Sequence, residues 1–338
     1  MPSELISRAR LSTLLASARS HRIAVVGDAM LDVYLTGDVE RVSPEAPVPV
    51  VRVRDRRYAL GGAANVAQNV AALGATADLV ATVGSDESAQ RLRDLLTNQG
   101  SESRGLVQVN RPTTTKTRIV ARAQQVVRVD EEIDDDCTNV EVAKLKAAVT
   151  RAVKESDALI LEDYNKGVLV APVIEHAIAA ARKKGIPIVV DPKYRNFFSY
   201  KGATIFKPNR RELEAALGAA VDVEHPQTLP GLVEKLGVEA ILLTLSERGM
   251  ALIEKGATAR KGMHRIPTTA RAVYDVVGAG DTVTAYLAAM LAGGATPLEA
   301  AIIANFAAGV EVGKLGAATV STKEVLAAYD EHGLGDNQ

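Results

Sequence analysis

Short apolar runs of strand length alternate with helix-patterned segments along nearly the whole chain, and this alternation leaves few folds open. Strands are expected at 23–27, 78–83, 158–162, 186–190, 204–206, 240–245 and 250–254. Several are continuous branched apolar runs, as in strands covered on both faces. Helices are expected at 63–73, 87–98, 140–155, 172–184, 212–217 and 229–236, with 284–291, 297–312 and 322–329 closing the chain. Such alternation predicts an α/β fold, a three-layer sandwich with a mainly parallel central sheet. Ligands on such sheets sit at the carboxyl ends of the strands.

Two segments break the pattern. About 33–58 carries Pro44, Pro47 and Pro49 between strand-like flanks, and about 113–130 alternates Thr, Lys and Arg with Val and Ile. Neither suits a buried parallel sheet. They predict a small β-lid beside the active site, or else surface hairpins with no function. No Pro/Gly/Ser-rich linker divides the 338 residues, and 47% are hydrophobic, enough for a large core. One domain spanning 1–338, with the lid as an appendage, is expected. The Arg-rich amphipathic stretch 5–22 has no apolar h-region or cleavage site, so it is expected to be a docking helix rather than a targeting peptide.

The net charge is −1, with acids and bases interspersed. That argues against a nucleic-acid or membrane-surface partner, since phosphate backbones demand a concentrated basic face. Cys137 is the only cysteine, which excludes an intrachain disulfide and a Cys-based zinc site. His21, His176, His225, His264 and His332 show no metal-ligand spacing. No apolar run reaches the ~18 residues of a membrane span. A cytoplasmic protein is expected.

The most telling chemistry lies in Asp275-Val276-Val277-Gly278-Ala279-Gly280-Asp281-Thr282. Gly278, Ala279 and Gly280 fall at a helix N-terminus, where N–H groups lack intrahelical acceptors and the dipole favours an anion such as phosphate. A carboxylate is a poor anion binder but a sensible proton acceptor. Asp281 is therefore the candidate base that deprotonates a hydroxyl while the helix tip holds the phosphoryl group. An ordinary helix start, with Asp as a cap, reads equally from the octet alone.

Other candidates gather at the predicted strand ends. Asp28 and Asp32 follow the first strand and could hold sugar hydroxyls, although Asp28 also suits a turn. Gly61 and Gly62 open a helix and allow close ligand approach, while Asn65 offers a donor and an acceptor together. Lys193 could hold a substrate phosphate. Asn209 and Glu212 form Asn-x-x-Glu, where the Glu can order hydrated Mg²⁺; the same pair resembles a capping box. Thr244, Ser246 and Gly249 suit nucleotide phosphates, or a simple turn. Two nucleotide motifs are absent: G-x-x-x-x-G-K-S/T, which excludes a P-loop enzyme, and G-x-G-x-x-G after the first strand, which disfavours a dehydrogenase.

Together these residues resemble the ribokinase-like (PfkB) carbohydrate kinases over nearly the whole chain. The resemblance implies that Gly278, Ala279, Gly280 and Asp281 supply the anion hole and base. It implies that Gly61, Gly62 and Asn65 bind sugar, and that Asn209, Glu212, Thr244, Ser246 and Gly249 serve ATP and Mg²⁺. It also implies a monovalent cation near Asp275 and Gly316, adenine near Asn305, and a homodimer paired through the lids. The segments 41–50, 61–69 and 118–130 look most like the D-glycero-β-D-manno-heptose-7-phosphate kinases of ADP-heptose synthesis. An ATP-dependent phosphorylation of the anomeric hydroxyl is then expected, with Lys193, Arg118 and Arg122 neutralising the phosphate already on the sugar. Many such kinases are fused to a C-terminal nucleotidyltransferase. No His-x-Gly-His occurs before Gln338, so that activity is expected elsewhere. One departure is Glu162, where the resemblance leads one to expect Ser before Asp163-Tyr164. Another sugar, sugar-phosphate or nucleoside kinase, or a non-catalytic nucleotide sensor, stands as the alternative.

Overall fold

Helix α1 (Arg8–Ser17) opens the described chain; Ser7 caps it by accepting the Arg10 N–H. Leu11, Leu14 and Leu15 are buried on one side, which withdraws roughly 1.5–3 kcal/mol of side chain each from water. Arg10 pairs with Glu299 and Arg8 with Asp330. The expected docking helix is thus found, although Leu5, at its expected start, lies outside the described residues. The computed structural model describes residues 6–122, 124–222, 229–258, 261–270 and 272–335.

After β1 (Arg22–Gly27) the chain forms β2 (Ala29–Val42), β3 (Pro49–Gly62), α2 (Ala63–Ala72), β4 (Thr76–Val83), α3 (Glu87–Asn98) and β5 (Glu102–Gln108). Then come β6 (Thr115–Ala121), β7 (Gln124–Glu131), α4 (Asn139–Glu155), β8 (Ala158–Glu162), α5 (Ala171–Lys184), β9 (Ile188–Asp191) and β10 (Ile205–Phe206). The last part holds α6 (Arg210–Leu217), α7 (Pro230–Leu236), β11 (Ala240–Thr244), β12 (Met250–Thr258), β13 (Lys261–Ile266), α8 (Ala279–Ala292), α9 (Pro297–Glu311) and α10 (Thr322–Gly335).

Among the described residues, nine strands form one sheet in the order β13-β12-β11-β10-β9-β8-β1-β4-β5. Pairing is parallel from β5 to β11, while β12 and β13 are antiparallel. Alternate residues feed two apolar layers. Ile23 and Val25 pack with α1, α2, α8 and α9. Ala24 and Val26 pack with α4, α5 and α7 on the other face. The expected α/β sandwich with a mainly parallel sheet is what forms. No helix among the described residues is long and apolar enough to cross a membrane.

The segments that break the alternation make a second sheet, ordered β3-β2-β6-β7. β2 and β3 pair antiparallel from Ala29–Gly62 to Val42–Pro49, and β6 joins β2 in parallel. Ala123, between β6 and β7 in sequence, lies outside the described residues. Two strands of the main sheet went unanticipated. β5 and β13 sit at its two edges, and their charged residues (Glu102, Arg104, His264, Arg265) disguise them. An edge strand needs only one covered face, so its apolar signal is weak. Asp32, expected with Asp28 at the carboxyl end of the first strand, lies within β2 of the second sheet.

Candidate active site

Helix α8 begins where the octet places it. Gly278 is its N-cap at φ 98°, and a Cβ there would lie 3.1 Å from Glu311 Oε1. The positive φ favours glycine here, and a Cβ would press on the Glu311 side chain. Gly280 and Asp281 occupy the first turn, where helix geometry leaves N–H donors without intrahelical acceptors. A cavity of about 440 Å³ reaches this tip, within the range of small-ligand sites. Thr244, Ser246, Gly249, Ala279, Gly280 and Asn305 line it. The residues expected to serve ATP at 244–249 and at Asn305 thus share one cavity with the glycine tip. Asn305 donates its amide to Pro267 O at 2.8 Å, which fixes its side chain in the wall. Gly249 has φ 81°, and any Cβ would strike Ile266 O at 2.1 Å.

Asp281 is 6% exposed. Asn65 donates to its Oδ2 at 2.6 Å and the Tyr164 hydroxyl to its Oδ1 at 2.9 Å. Burial pushes the Asp281 carboxyl up to about 6 against these two hydrogen bonds, which favour the charged form. Asn65 is positioned in turn by Asn69, whose amide donates to Asn65 O at 3.0 Å, while Thr282 donates to Asn69 Oδ1 at 3.1 Å. The Asp281 carboxylate is thereby tied to the first turn of α2. Gly62 starts that turn at φ 55°, with room for a Cβ blocked by Asp28 O at 2.4 Å; at Gly61 a Cβ would meet Asp32 Oδ2 at 3.0 Å. The glycine pair therefore brings the Asp32 carboxylate close to the start of α2.

Several expected residues are committed to partners. Asp28 is 1% exposed, and its carboxylate accepts the N–H groups of Tyr164, Lys166 and Val168 at 2.8, 3.0 and 3.1 Å. It organises the loop after β8 from below rather than presenting oxygens to the cleft, which corrects its assignment to sugar hydroxyls. Asp32 is paired with Arg118 at 2.6 Å. Arg122 sits in the turn after β6, exposed at φ 49°. Six residues of strand, ~20 Å, separate it from Lys116, the register partner of Asp32; in this conformation it is not part of the cleft. Asn209 and Glu212 do form a capping box on α6, each side chain bonding the other's N–H at 2.9 Å. The remaining Glu212 oxygen pairs with Lys193, whose ammonium also lies 5.1 Å from the Tyr164 ring centre. Glu212 therefore faces Lys193 and its own helix. Asp275 accepts the N–H groups of Val277 and Gly316 at 3.0 and 3.1 Å, joining the loop before α8 to 316.

Sequence reasoning missed a buried group beneath the helix tip. Oxygens of Glu162, Asp191 and Asp281 all lie within 4.8 Å of one another. Lys207 donates to Asp191 Oδ2 at 2.7 Å and is itself buried. Burial, then Asp191 and Asp281, raises the Glu162 carboxyl well above its ordinary value. Burial opposes the charge on Lys207, but Asp191 and Glu162 outweigh it and hold its ammonium above the usual range. Lys207 follows a buried strand just as Lys193 does, so the reasoning that selected one applied to both.

The pfkB family carbohydrate kinase profile matches residues 20–324. The chain is 42% identical over 324 residues to the "Bifunctional protein HldE" of Rhodospirillum rubrum, covering 95% of this chain and 64% of that protein. It is 45% identical over 319 residues to the protein of that name from Gluconacetobacter diazotrophicus, covering 93% of this chain and 65% of the relative. The chain thus spans about two thirds of the length of these curated relatives. In fold it is similar to Arabidopsis thaliana ribokinase complexed with ribose and ATP, with TM-score 0.72 and 21% identity over 91% of this chain and 98% of the other. Phosphofructokinase-2 from Escherichia coli, solved with potassium, gives TM-score 0.74 at 18% identity, over 92% and 98%. A buried carboxylate in the first turn of a helix whose glycine-bearing tip lines a cavity accords with these matches: the chain belongs to the pfkB family of carbohydrate kinases.

Proposed function

We propose that this chain is a single kinase domain that transfers the γ-phosphoryl group of ATP to the anomeric hydroxyl of D-glycero-β-D-manno-heptose 7-phosphate. It acts in the cytoplasm, as a homodimer joined through the lid. The observation that carries the chemistry is the clamped, buried Asp281 carboxylate in the first turn of α8, next in sequence to Gly280 of the cavity wall. Asp281 takes the hydroxyl proton, and the first turn of α8 stabilises charge on the transferring group. Asn65 holds the base and faces the sugar with Gly61, Gly62 and Asp32. The choice of a phosphorylated heptose is supported by the proline-bearing segment 41–50, which forms the β2–β3 end of the lid, and by the HldE-named relatives. Arg118 and Lys193 are the cations for the phosphate already on the sugar. The dimer is supported by exposed valines on the lid, among them Val127 and Val129 on one face of β7.

Mg²⁺ fits the donors at hand, since the carboxylates beneath the helix tip are hard oxygen ligands. When bound, it would neutralise charge on the nucleotide phosphates. An ADP-release screen over heptose, hexose and pentose phosphates, with the unphosphorylated sugars as controls, tests the substrate. Asp281→Asn is expected to lose roughly 10²–10⁴-fold in turnover with ATP binding retained. Near-normal turnover in that variant, or release of ADP with no sugar phosphate, would count against the proposal.

A further inference from the structure

We propose that Glu162 and Asp191 hold a divalent cation directly, as a site belonging to the protein that fills before any nucleotide arrives. This deepens the kinase reading and rests on it for the identity of the ion as Mg²⁺ and for its use.

Glu162 ends β8 and is fully buried. Neither of its carboxylate oxygens has a hydrogen-bond partner. A carboxylate stripped of water and left without donors is strongly disfavoured unless a proton or a cation accompanies it. The surroundings favour the cation. Asp191 ends the neighbouring parallel strand β9, and sheet register sets Glu162 directly beside it, so the two side chains leave the sheet on the same side. Asp281 descends from α8 to face them, and one oxygen from each of the three falls within 4.8 Å of the others. Lys207 covers a single oxygen of Asp191 and none of Glu162. What remains is a buried pocket of oxygen donors with no sulfur or imidazole, the set that suits Mg²⁺, Mn²⁺ or Ca²⁺.

Gly280 lies between this pocket and the cavity. Gly280 lines the nucleotide-sized cavity. A Cβ added there would stand 3.8 Å from Asp191 Oδ2 and 3.7 Å from Lys207 Nζ. Only a glycine thus separates the Asp191 carboxylate from the cavity wall, and a phosphate bound at that helix tip would need a cation between it and the carboxylates. Glu212, the ligand suggested by sequence, has one oxygen on the Asn209 N–H and the other on Lys193. Asp281 has both oxygens held by Asn65 and Tyr164, so it faces the ion and keeps its own role. The residue that departs from the resemblance, Glu162, becomes the principal ligand.

The test uses Mn²⁺ alone, with the full chain and no nucleotide, following free Mn²⁺ by electron paramagnetic resonance. One Mn²⁺ per chain, displaced by Mg²⁺, is expected. Glu162→Gln is expected to weaken it by at least roughly 10–100-fold, the loss that even outer partners of a metal cause, while Glu212→Gln changes it less than about twofold. Equal affinity in Glu162→Gln and the parent, or no binding by the parent, overturns the proposal. If circular dichroism shows Glu162→Gln misfolded, Asp191→Asn carries the same test with the same opposing outcomes. ADP release in the same preparations separates the two readings. Mn²⁺ bound through Glu162 without turnover on any sugar sinks the kinase reading and leaves the site standing. Turnover with Mn²⁺ affinity unaltered by Glu162→Gln sinks the site alone.

Discussion

Tyr164 donates its hydroxyl hydrogen to Asp281 Oδ1 at 2.9 Å, while its own backbone N–H is held by Asp28 at 2.8 Å. The carboxylate just after the first strand thus holds the loop whose tyrosine holds the Asp281 carboxylate. Burial, with Asp281 next, lifts the Tyr164 phenol well above its ordinary value, so it remains a donor. A hydrogen bond to a charged partner contributes about 1.5–3 kcal/mol. Tyr164→Phe is expected to lower kcat roughly tenfold or more while the KM for ATP moves less than about twofold. Steady-state kinetics decide; a change confined to the ATP KM would remove Tyr164 from the base's surroundings.

Asp28 accepts three backbone N–H groups. Asp28→Ala leaves buried donors without acceptors, each costing about 1–3 kcal/mol. The expected outcome is a loss of several kcal/mol in urea unfolding, roughly 3–5 in all, with Asp28→Asn milder. A variant of parental stability but weakened sugar binding would return Asp28 to the cleft.

Burial, followed by the nearby Asp275 and Asp281, pushes the Glu311 carboxyl from an ordinary 4.5 up to about 8. Between those values the folded chain keeps a proton that the unfolded chain has released. Glu311 therefore makes stability fall as pH rises from 4.5 to about 8, after which its effect levels off. The slope from this one group approaches about 1.4 kcal/mol per pH unit. Glu311→Gln is expected to flatten the curve and to be the more stable form at alkaline pH. Denaturation curves of the two proteins from acid to alkaline pH that run parallel would contradict this.

Arg118 pairs with Asp32 at 2.6 Å, with side chains only 15% and 7% exposed. Removing one partner of so sheltered a pair strands the other charge. Arg118→Ala is expected to raise the KM for the phosphorylated acceptor roughly tenfold and to leave the KM for ATP nearly unchanged. Competition with the unphosphorylated sugar checks the reason: its affinity is expected to fall less. An effect on ATP alone would place Arg118 outside the acceptor's reach.

Much of the architecture was legible because periodicity is local. The runs 158–162 and 240–245 could be recognised from branched apolar residues buried on both faces, and they recur as β8 and β11 almost to the residue. The tip of α8 was legible because two glycines before an acid change backbone chemistry in place. What stayed hidden depends on distant partners. That Glu212 would pair with Lys193, or Asp28 with three N–H groups after β8, follows only from which strands become neighbours. The cluster of Glu162, Asp191 and Asp281 has the same origin: two adjacent strand ends and one helix tip, far apart in sequence, converge only once the sheet order is set.

β2 starts beside Asp28 and runs unbroken to Val42, paired with β3 along nearly its whole length despite two irregularities. Its inner end abuts Gly62; its outer end carries the proline turn. Thirteen steps of strand make an arm ~43 Å long, anchored one residue from the acid that positions Tyr164. The outer tip is therefore joined through continuous hydrogen-bonded strand to the residue beside Asp28. The proline turn and the Tyr164 loop, far apart in space, are thus two ends of one rigid strand pair.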